Sequence, residues 1–227
     1  MKTPPEIYKI LLKEYGPQGW WPITTLANKP GFDERGYHKS NNSYPKTEQQ
    51  IFEICLGAIL TQNTSWKNVE KAIISLQQKN MLGIKAIRHA EMKKLAVLIK
   101  SSGYHNQKAR KIKEFIKFLD AKKEINRENL LAVWGIGKET ADSMLLYAHN
   151  QPIFVIDAYA IRIFSRLFKK EFDYDTLQEL FMKSLKKEPA IFNEYHALLV
   201  EQAKNVCKTK PDCPACCLKK DCKFFAP

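Results

Sequence analysis

The sequence lacks a long apolar run and an apolar leader. No stretch approaches the roughly 18 uninterrupted apolar residues that a membrane span needs, and the first residues, MKTPPEIYKI, lack the apolar core of a secretory signal. These absences argue against a membrane-spanning or secreted protein. We expect a cytoplasmic, nucleoid-associated protein without a membrane partner. The chain also lacks internal repeats and low-complexity tracts, which argues against repeat architectures.

Acidic residues are in deficit. Lys and Arg number 37 against 24 Asp and Glu, which gives a formal net charge of +13. Such an excess favours a polyanionic partner through Coulomb attraction and counterion release. Nucleic acid is the leading candidate, but many soluble proteins are basic without such a partner. Composition alone leaves both interpretations open.

Strand-like alternation is missing as well, and helical spacing takes its place. Apolar residues recur at helical intervals in several segments: 51–59, 69–76, 92–99, 112–119, 177–185 and 191–200. This pattern predicts an all-α fold. Residues 27–46 are rich in Pro, Gly, Ser and Asn, and they predict a long loop before a helix that begins near Thr47.

Two glycines separate a short apolar helix from the next one. The turn is Gly135-Ile136-Gly137, and glycine permits both positive φ and the close approach of another group. The first backbone N–H groups of the following helix are able to bind a phosphate there. A purely structural turn between helices has the same pattern, so Gly-x-Gly alone does not decide.

An aspartate follows an apolar run about twenty residues later. Asp157 comes directly after Phe154-Val155-Ile156 and before an amphipathic helical face. A carboxylate in this position is ordinarily a helix N-cap. The alternative is a catalytic carboxylate.

The two features together resemble the signature of the helix-hairpin-helix, or endonuclease III, superfamily of DNA glycosylases. The matching segments are VWGIGKETA at 133–141, VID at 155–157, TQNT at 61–64 and SGYHNQKA at 102–109. The resemblance covers roughly residues 51–222. It implies a monomeric base excision repair enzyme that acts on double-stranded DNA containing damaged bases.

The resemblance also implies roles for individual residues. Asp157 would be the catalytic residue, and Gln62 would enter the duplex. The other expected DNA-binding residues form the hairpin: Gly135, Gly137, Lys138 and Thr140.

The resemblance further implies two helical lobes and a C-terminal iron–sulfur cluster loop. We expect residues 47–150 to form a six-helix barrel that contains the helix-hairpin-helix motif. Residues 1–46 and 151–206 would form the second lobe, and residues 207–227 the cluster loop.

Bifunctional relatives attack the sugar with a lysine amine on the helix after the hairpin. Aligning the glycines places Glu139 at that position, and Lys138 lies one residue away, about 100° around the helix. The sequence therefore predicts a monofunctional enzyme that uses water. The alternatives are a bifunctional endonuclease III-like glycosylase/lyase, a mismatch glycosylase, and, in another class, a noncatalytic iron–sulfur DNA-binding protein.

Tryptophans near the N-terminus bear on the substrate. Trp20, Trp21 and Pro22, together with Trp66, look like the aromatic base-binding elements of 3-methyladenine DNA glycosylase III. An N3-alkylated adenine is cationic, so electron-rich indole faces would attract it. Core packing of the same indoles is the competing interpretation.

Five of the six cysteines lie in the last 21 residues, whereas Cys55 lies in a helical core pattern. In a reducing compartment such crowding favours a metal or cluster site over disulfides. The spacing C-x5-C-x2-C-x5-C suits either [4Fe–4S] or tetrahedral Zn²⁺.

The resemblance implies a [4Fe–4S] cluster held by four thiolates: Cys207, Cys213, Cys216 and Cys222. The family usually has six residues in the first gap, where this chain has five. Cys217 beside Cys216 competes for the third position, for which we prefer Cys216.

Overall fold

The structure is a computed structural model that describes residues 2–225. Residue 1 of the predicted segment 1–46 and residues 226 and 227 of the predicted loop 207–227 lie outside the described residues. No strand occurs between residues 2 and 225, which confirms the all-α prediction. No helix in this part of the chain is long and apolar enough to cross a membrane.

The described residues form eleven α-helices. In chain order they are α1 (Pro4–Tyr15), α2 (Glu48–Leu60), α3 (Trp66–Gln78), α4 (Ile84–His89), α5 (Met92–Leu98), α6 (His105–Asp120), α7 (Arg127–Leu131), α8 (Lys138–Ser143), α9 (Ala158–Phe168), α10 (Tyr174–Ser184) and α11 (Pro189–Asn205). A π-helical segment, Met144–Ala148, continues α8 directly.

The chain divides into two compact units. The N-terminal unit comprises the chain up to Trp20, residues 39–42 and the chain from Gln151 onwards, and the central unit comprises residues 21–38 and 43–150.

Helix α11 organises the N-terminal unit. It packs against α1 on one side and α9 on another. Its Phe192 and Tyr195 are fully buried and contact Phe154, whose ring stacks on Phe181 with centroids 3.9 Å apart. Phe154 lies three residues before Asp157 in the chain, so this aromatic core fixes the backbone that carries the aspartate.

Helix α2 organises the central unit. Every residue from Phe52 to Leu60 is buried, and the helix packs against α3, α6 and the segment Met144–Ala148. Thr47 caps its start by accepting a hydrogen bond from the Gln50 N–H at 3.3 Å, at the position that the sequence predicts. A helix buried all round gives the hairpin side of this unit a rigid support.

Residues 21–38 belong to the central unit. The sequence had led us to place them in the second lobe, with the rest of residues 1–46. Polar contacts explain the difference. The Thr25 hydroxyl donates to the buried Glu53 carboxylate at 2.5 Å, and Arg35 pairs with Glu70 at 3.2 Å. These partners lie on α2 and α3, and the sequence gives no local sign of them.

Candidate functional site

The hairpin between α7 and α8 has the predicted glycine turn. Gly135 has φ +85°, a backbone angle that residues with a side chain rarely adopt. The Ile136 N–H donates to the Val133 carbonyl at 3.1 Å and closes the turn. Val133 and Ile136 are buried and anchor it in the central unit. Gly137 is the N-cap of α8 and has ordinary extended backbone, with φ −95°.

The two glycines have different surroundings. A Cβ added at Gly135 would approach the side-chain carbons of Lys111 to 2.5 Å, whereas a Cβ at Gly137 would meet nothing within 4 Å. Gly135 is thus required by the fold itself. Gly137 leaves open space in front of the first turn of α8, which is the direction from which an anion would approach the helix N-terminus.

A buried ion pair holds α7 and α8 together. Arg127 donates from Nε to Asp142 Oδ1 at 2.7 Å and from Nη2 to Asp142 Oδ2 at 3.2 Å, and Asp142 is fully buried. A bidentate arrangement fixes both the distance and the orientation of the two helices. The sequence analysis missed this pair, because its members are fifteen residues apart and fit no motif.

Gln62 and Thr140 contact each other. The Gln62 amide donates to the Gly135 carbonyl at 3.1 Å and to the Thr140 hydroxyl at 2.9 Å, and its oxygen accepts from the Lys111 amine. The amide therefore bridges both sides of the hairpin. Entry of Gln62 into a duplex stays a prediction, and it would require these hydrogen bonds to be exchanged. Asn63, the next residue, is exposed.

The remaining polar residues of the hairpin lie at its surface. Lys138 and Glu139 are both exposed in the first turn of α8. The Glu139 carboxylate therefore interacts favourably with the positive end of the helix dipole.

Asp157 lies in the N-terminal unit, at the start of α9. Its Oδ1 accepts from the Ala160 N–H at 2.7 Å, which makes it the N-cap of the helix. Its Oδ2 faces His196 Nε2 at 3.5 Å, and the side chain is 12% exposed. The carboxylate thus has one oxygen that serves the helix and one that faces a titratable side chain.

The environment of Asp157 keeps the carboxylate ionised. Burial raises its pKa, but the nearby His196 and the N–H groups of Ala160 and Tyr159 outweigh burial, so that the pKa is lowered overall. An anion at this position is thus stable at neutral pH and below. No motif in the sequence connects His196 to Asp157.

The predicted aromatic residues fall into two groups. Trp21 is buried against Trp66 and Tyr147, with ring centroids 5.1 and 4.8 Å away, and Pro22 is buried beside it. These residues belong to the central unit. Within residues 2–225 the buried indole N–H of Trp66 has no hydrogen-bond partner.

Trp20 lies in the N-terminal unit instead. Its ring meets His196 edge-on with centroids 5.8 Å apart, and its carbonyl accepts from the Asn193 side chain at 2.8 Å. It therefore shares a neighbour with Asp157. The predicted aromatic set is not a single cluster within either unit.

Several of the C-terminal cysteines line a small cavity that is partly open to solvent. Four of the cysteine side chains line it: Cys207, Cys213, Cys216 and Cys222. Cys217 does not line it and contacts Gln202 Oε1 at 3.8 Å. No three His, Cys, Asp or Glu side chains between residues 2 and 225 converge on a point that would hold one metal ion.

Nitrogen donors face two of the four cavity thiols. Gln202 Nε2 lies 3.1 Å from Cys216 Sγ, and Arg166 Nη1 lies 3.3 Å from Cys207 Sγ. Arg162 also donates to the Cys207 carbonyl at 2.9 Å. Two arginines of α9 thus hold the start of the cysteine loop on the helix that Asp157 caps.

The family of the chain follows from a comparison with known proteins. Residues 56–187, more than half of the chain, match the HhH-GPD superfamily, described as base excision DNA repair proteins.

Relatives and solved structures agree with this match. "Putative DNA repair glycosylase MJ1434" of Methanocaldococcus jannaschii is 40% identical over 232 residues, covering 96% of this chain and 94% of that protein. The 3-methyladenine DNA glycosylase of H. pylori, solved bound to 1,N6-ethenoadenine, is 28% identical with a TM-score of 0.70, covering 89% and 98%. A non-covalent endonuclease III–DNA complex, 20% identical with a TM-score of 0.77 and covering 99% and 97%, shares the fold.

Proposed function

The chain belongs to the HhH-GPD superfamily of base excision DNA repair proteins and is a DNA N-glycosylase, and from that premise we propose that it is monofunctional and releases alkylated purines such as 3-methyladenine. Similarity to the 3-methyladenine DNA glycosylase of H. pylori carries the choice of substrate. The monofunctional mechanism is supported by Glu139, which stands where bifunctional relatives have a nucleophilic lysine.

The reaction begins with extrusion of the damaged nucleotide, because a base stacked in the duplex is out of reach. N3-alkylation makes adenine cationic, so the electron pair of the breaking N-glycosidic bond neutralises the leaving base and no strong general acid is needed. Positive charge develops on the sugar meanwhile. The Asp157 carboxylate stabilises that charge, and it accepts a proton from the water whose oxygen bonds to the sugar carbon.

Two groups of aromatic side chains support recognition of a cationic base. Trp66, backed by Trp21 and Pro22, offers an electron-rich indole with an uncommitted N–H. Trp20 lies beside His196, next to the carboxylate. We infer that Trp20 contacts the extruded base beside Asp157. Base binding by Trp21, Pro22 and Trp66 stays a prediction.

We propose that the cysteine loop holds a [4Fe–4S] cluster rather than a zinc ion. The lining of one small cavity includes Cys207, Cys213, Cys216 and Cys222, and their spacing resembles the cluster loop of the family. The nitrogen donors of Gln202 and Arg166, which face the sulfurs of Cys216 and Cys207, also support this proposal, because they would offset the negative charge of thiolates. A bound cluster would act structurally by fastening the loop to α9.

Substitution of the hairpin glycines separates folding from DNA binding. We expect Gly137→Ala to keep its stability within about 1 kcal/mol of the wild type, because the backbone is ordinary and the space is empty. Its affinity for DNA should fall, because a methyl group blocks the approach of a phosphate. Gly135→Ala should destabilise the protein, because it meets Lys111 at a positive φ. Thermal unfolding and duplex binding measure the two effects. Equal affinity of Gly137→Ala and wild type would contradict phosphate binding at this turn.

His196 should set the acid limit of activity. Since His196 helps to lower the pKa of Asp157, His196→Gln should raise that pKa and move the acid limb of the pH–rate profile to higher pH. Ionised Asp157 also stabilises the fold above its ordinary pKa, and this contribution disappears as the pH falls through the folded-state pKa. In the variant, whose folded-state pKa lies closer to the ordinary value, the loss should therefore be smaller and should be complete at higher pH.

A neighbouring substitution provides the control. Within residues 2–225 the buried hydroxyl of Tyr195 has no hydrogen-bond partner, so Tyr195→Phe should leave the acid limb unchanged. If His196→Gln and wild type have the same acid limb, His196 does not act on Asp157.

Glu139 offers a test of the monofunctional mechanism. Wild type should give no covalent adduct with damaged DNA under borohydride. Glu139→Lys places an amine where bifunctional relatives carry theirs and should allow Schiff-base trapping, at a stability cost of about 0.3–1 kcal/mol from the helix dipole. Trapping by the wild type would overturn the mechanism.

The proposed substrate is tested by a panel of duplexes. Each carries 3-methyladenine, 7-methylguanine, thymine glycol, uracil, or an A·G or G·T mispair. Release of methylated purines in preference to the other bases is the expected result. Preferential release of thymine glycol or of a mispaired base would reject the alkylpurine proposal and leave the family unchanged.

A further inference from the structure

Trp134 is an exposed aromatic residue within the hairpin turn. It is 46% exposed, whereas the nearby side chains of Val133 and Ile136 are only 8% and 5% exposed. Those two residues anchor the hairpin, so the core does not require an indole at position 134. The indole is therefore available for a contact at the surface of the hairpin.

A guanidinium covers this indole. Arg110 Cζ lies 4.0 Å from the centre of the Trp134 ring, well inside the range of a cation–π interaction. The N–H donors of a guanidinium lie in its own plane, so contact with a ring face through the central carbon leaves them available. Trp134 therefore restricts the side chain of Arg110 without consuming its hydrogen-bonding capacity.

The charge of Arg110 is not neutralised by the protein. Arg110 is exposed, and within residues 2–225 it forms no ion pair with an acidic side chain. Its neighbour Lys111 differs, because its carbons lie against Gly135 and its amine donates to Gln62. Helix α6 thus presents two successive cations to the hairpin, one engaged within the protein and one directed outwards.

We propose that Arg110, held over Trp134, binds a DNA phosphate next to the hairpin, as a contact additional to the glycine turn. This proposal rests on the proposed function, since it assumes that the hairpin faces DNA. DNA is the partner that matches the observations: a planar guanidinium forms bidentate contacts with phosphate, and the net charge of the chain is +13. Such a contact carries no sequence information, so damaged and undamaged duplexes should be affected alike.

The experiment measures duplex affinity as a function of salt concentration. Arg110→Gln should weaken binding roughly fivefold at low salt and reduce the slope of log K against log[salt] by about 0.9, the value for one lost phosphate contact. Trp134→Ala should also weaken binding, because Arg110 loses its support. Once Arg110→Gln is present, adding Trp134→Ala should have little further effect, since the two act as a unit.

Lys117 provides a matched control. It lies seven residues further along α6, about 10 Å away on the same face, and pairs with Glu114. Lys117→Gln removes one positive charge from the same helix and should leave the slope unchanged. If Lys117→Gln and Arg110→Gln lower the affinity and the salt slope equally, the effect comes from net charge alone and the proposal is overturned.

Fluorescence gives an independent readout. Trp134 is the only tryptophan among the large apolar side chains that are prominently exposed in the described chain. An undamaged duplex, which presents no extruded base to the other tryptophans, should therefore change its emission, and Trp134→Phe should remove most of that change. If Arg110→Gln binds like wild type while Gly137→Ala binds weakly, this inference fails and the hairpin function stands. If Gly137→Ala also binds like wild type, the hairpin function itself fails.

Discussion

Asp157→Asn is expected to lower base release at least about a hundredfold, the contribution typical of a positioned acid–base or electrostatic group. The substitution removes the negative charge but keeps an oxygen that accepts from the Ala160 N–H, and Asn is as good an N-cap as Asp. The helix cap should therefore be kept, and the melting temperature should fall only by what the charge contributes beside His196. Single-turnover release of methylated purine from a duplex measures the activity, and thermal unfolding measures the stability.

A second aspartate provides the control for this substitution. Asp173 caps α10 by accepting from the Thr176 N–H at 2.8 Å, as Asp157 caps α9. Asp173→Asn should retain both activity and stability. Asp157→Ala should lose activity and also about 1 kcal/mol of stability, because the cap is removed.

The outcome decides between two roles of one side chain. The structure places one Asp157 oxygen on the helix end, which is the ordinary role of a carboxylate in this position, and leaves the other beside His196. If Asp157→Asn releases base at the rate of the wild type, the aspartate only caps a helix. Base release would then depend on a residue other than Asp157.

The sequence predicted the features that depend on local patterns. Helical spacing predicted α2 and α3, and the Gly135-Ile136-Gly137 turn was predicted from the freedom that glycine gives the backbone. Resemblance to a family connected that turn with Asp157. Each of these predictions draws on residues that are close together in the chain or that form a known signature.

Contacts between distant residues could not be predicted in this way. His196 lies 39 positions after Asp157, and Gln62 lies 78 positions before Thr140. A histidine on an amphipathic helix looks the same in sequence whether it faces a core or a carboxylate, because periodicity gives the face but not its neighbour.

Adjacent residues show the same limit at short range. Trp20 and Trp21 look equivalent as a pair, yet one contacts His196 in the N-terminal unit and the other is buried in the central unit. Unit boundaries depend on which partners a segment finds. The Thr25 and Glu53 contact that holds residues 21–38 in the central unit is of this kind.

Cys216→Ser and Cys217→Ser should have opposite effects, although the residues are neighbours. Cys216 lines the cavity with the other three thiols, whereas Cys217 lies outside that lining beside Gln202. We expect Cys216→Ser to lose iron and to be destabilised on the order of 4 kcal/mol, as is typical for the loss of a metal site. Cys217→Ser should keep its iron. Iron and sulfide content after anaerobic purification, together with thermal unfolding, measure these effects.

The same pair of variants tests how the loop is held. Arg162 and Arg166 of α9 bind the backbone of residues 207–209, so these contacts alone could keep the start of the loop in place in Cys216→Ser. Loss of the cluster should then expose the later part of the loop to proteases while residues near Cys207 remain protected. Loss of iron from Cys217→Ser alone would make Cys217 the third ligand. Wild-type protein that contains one zinc and no iron would disprove the cluster.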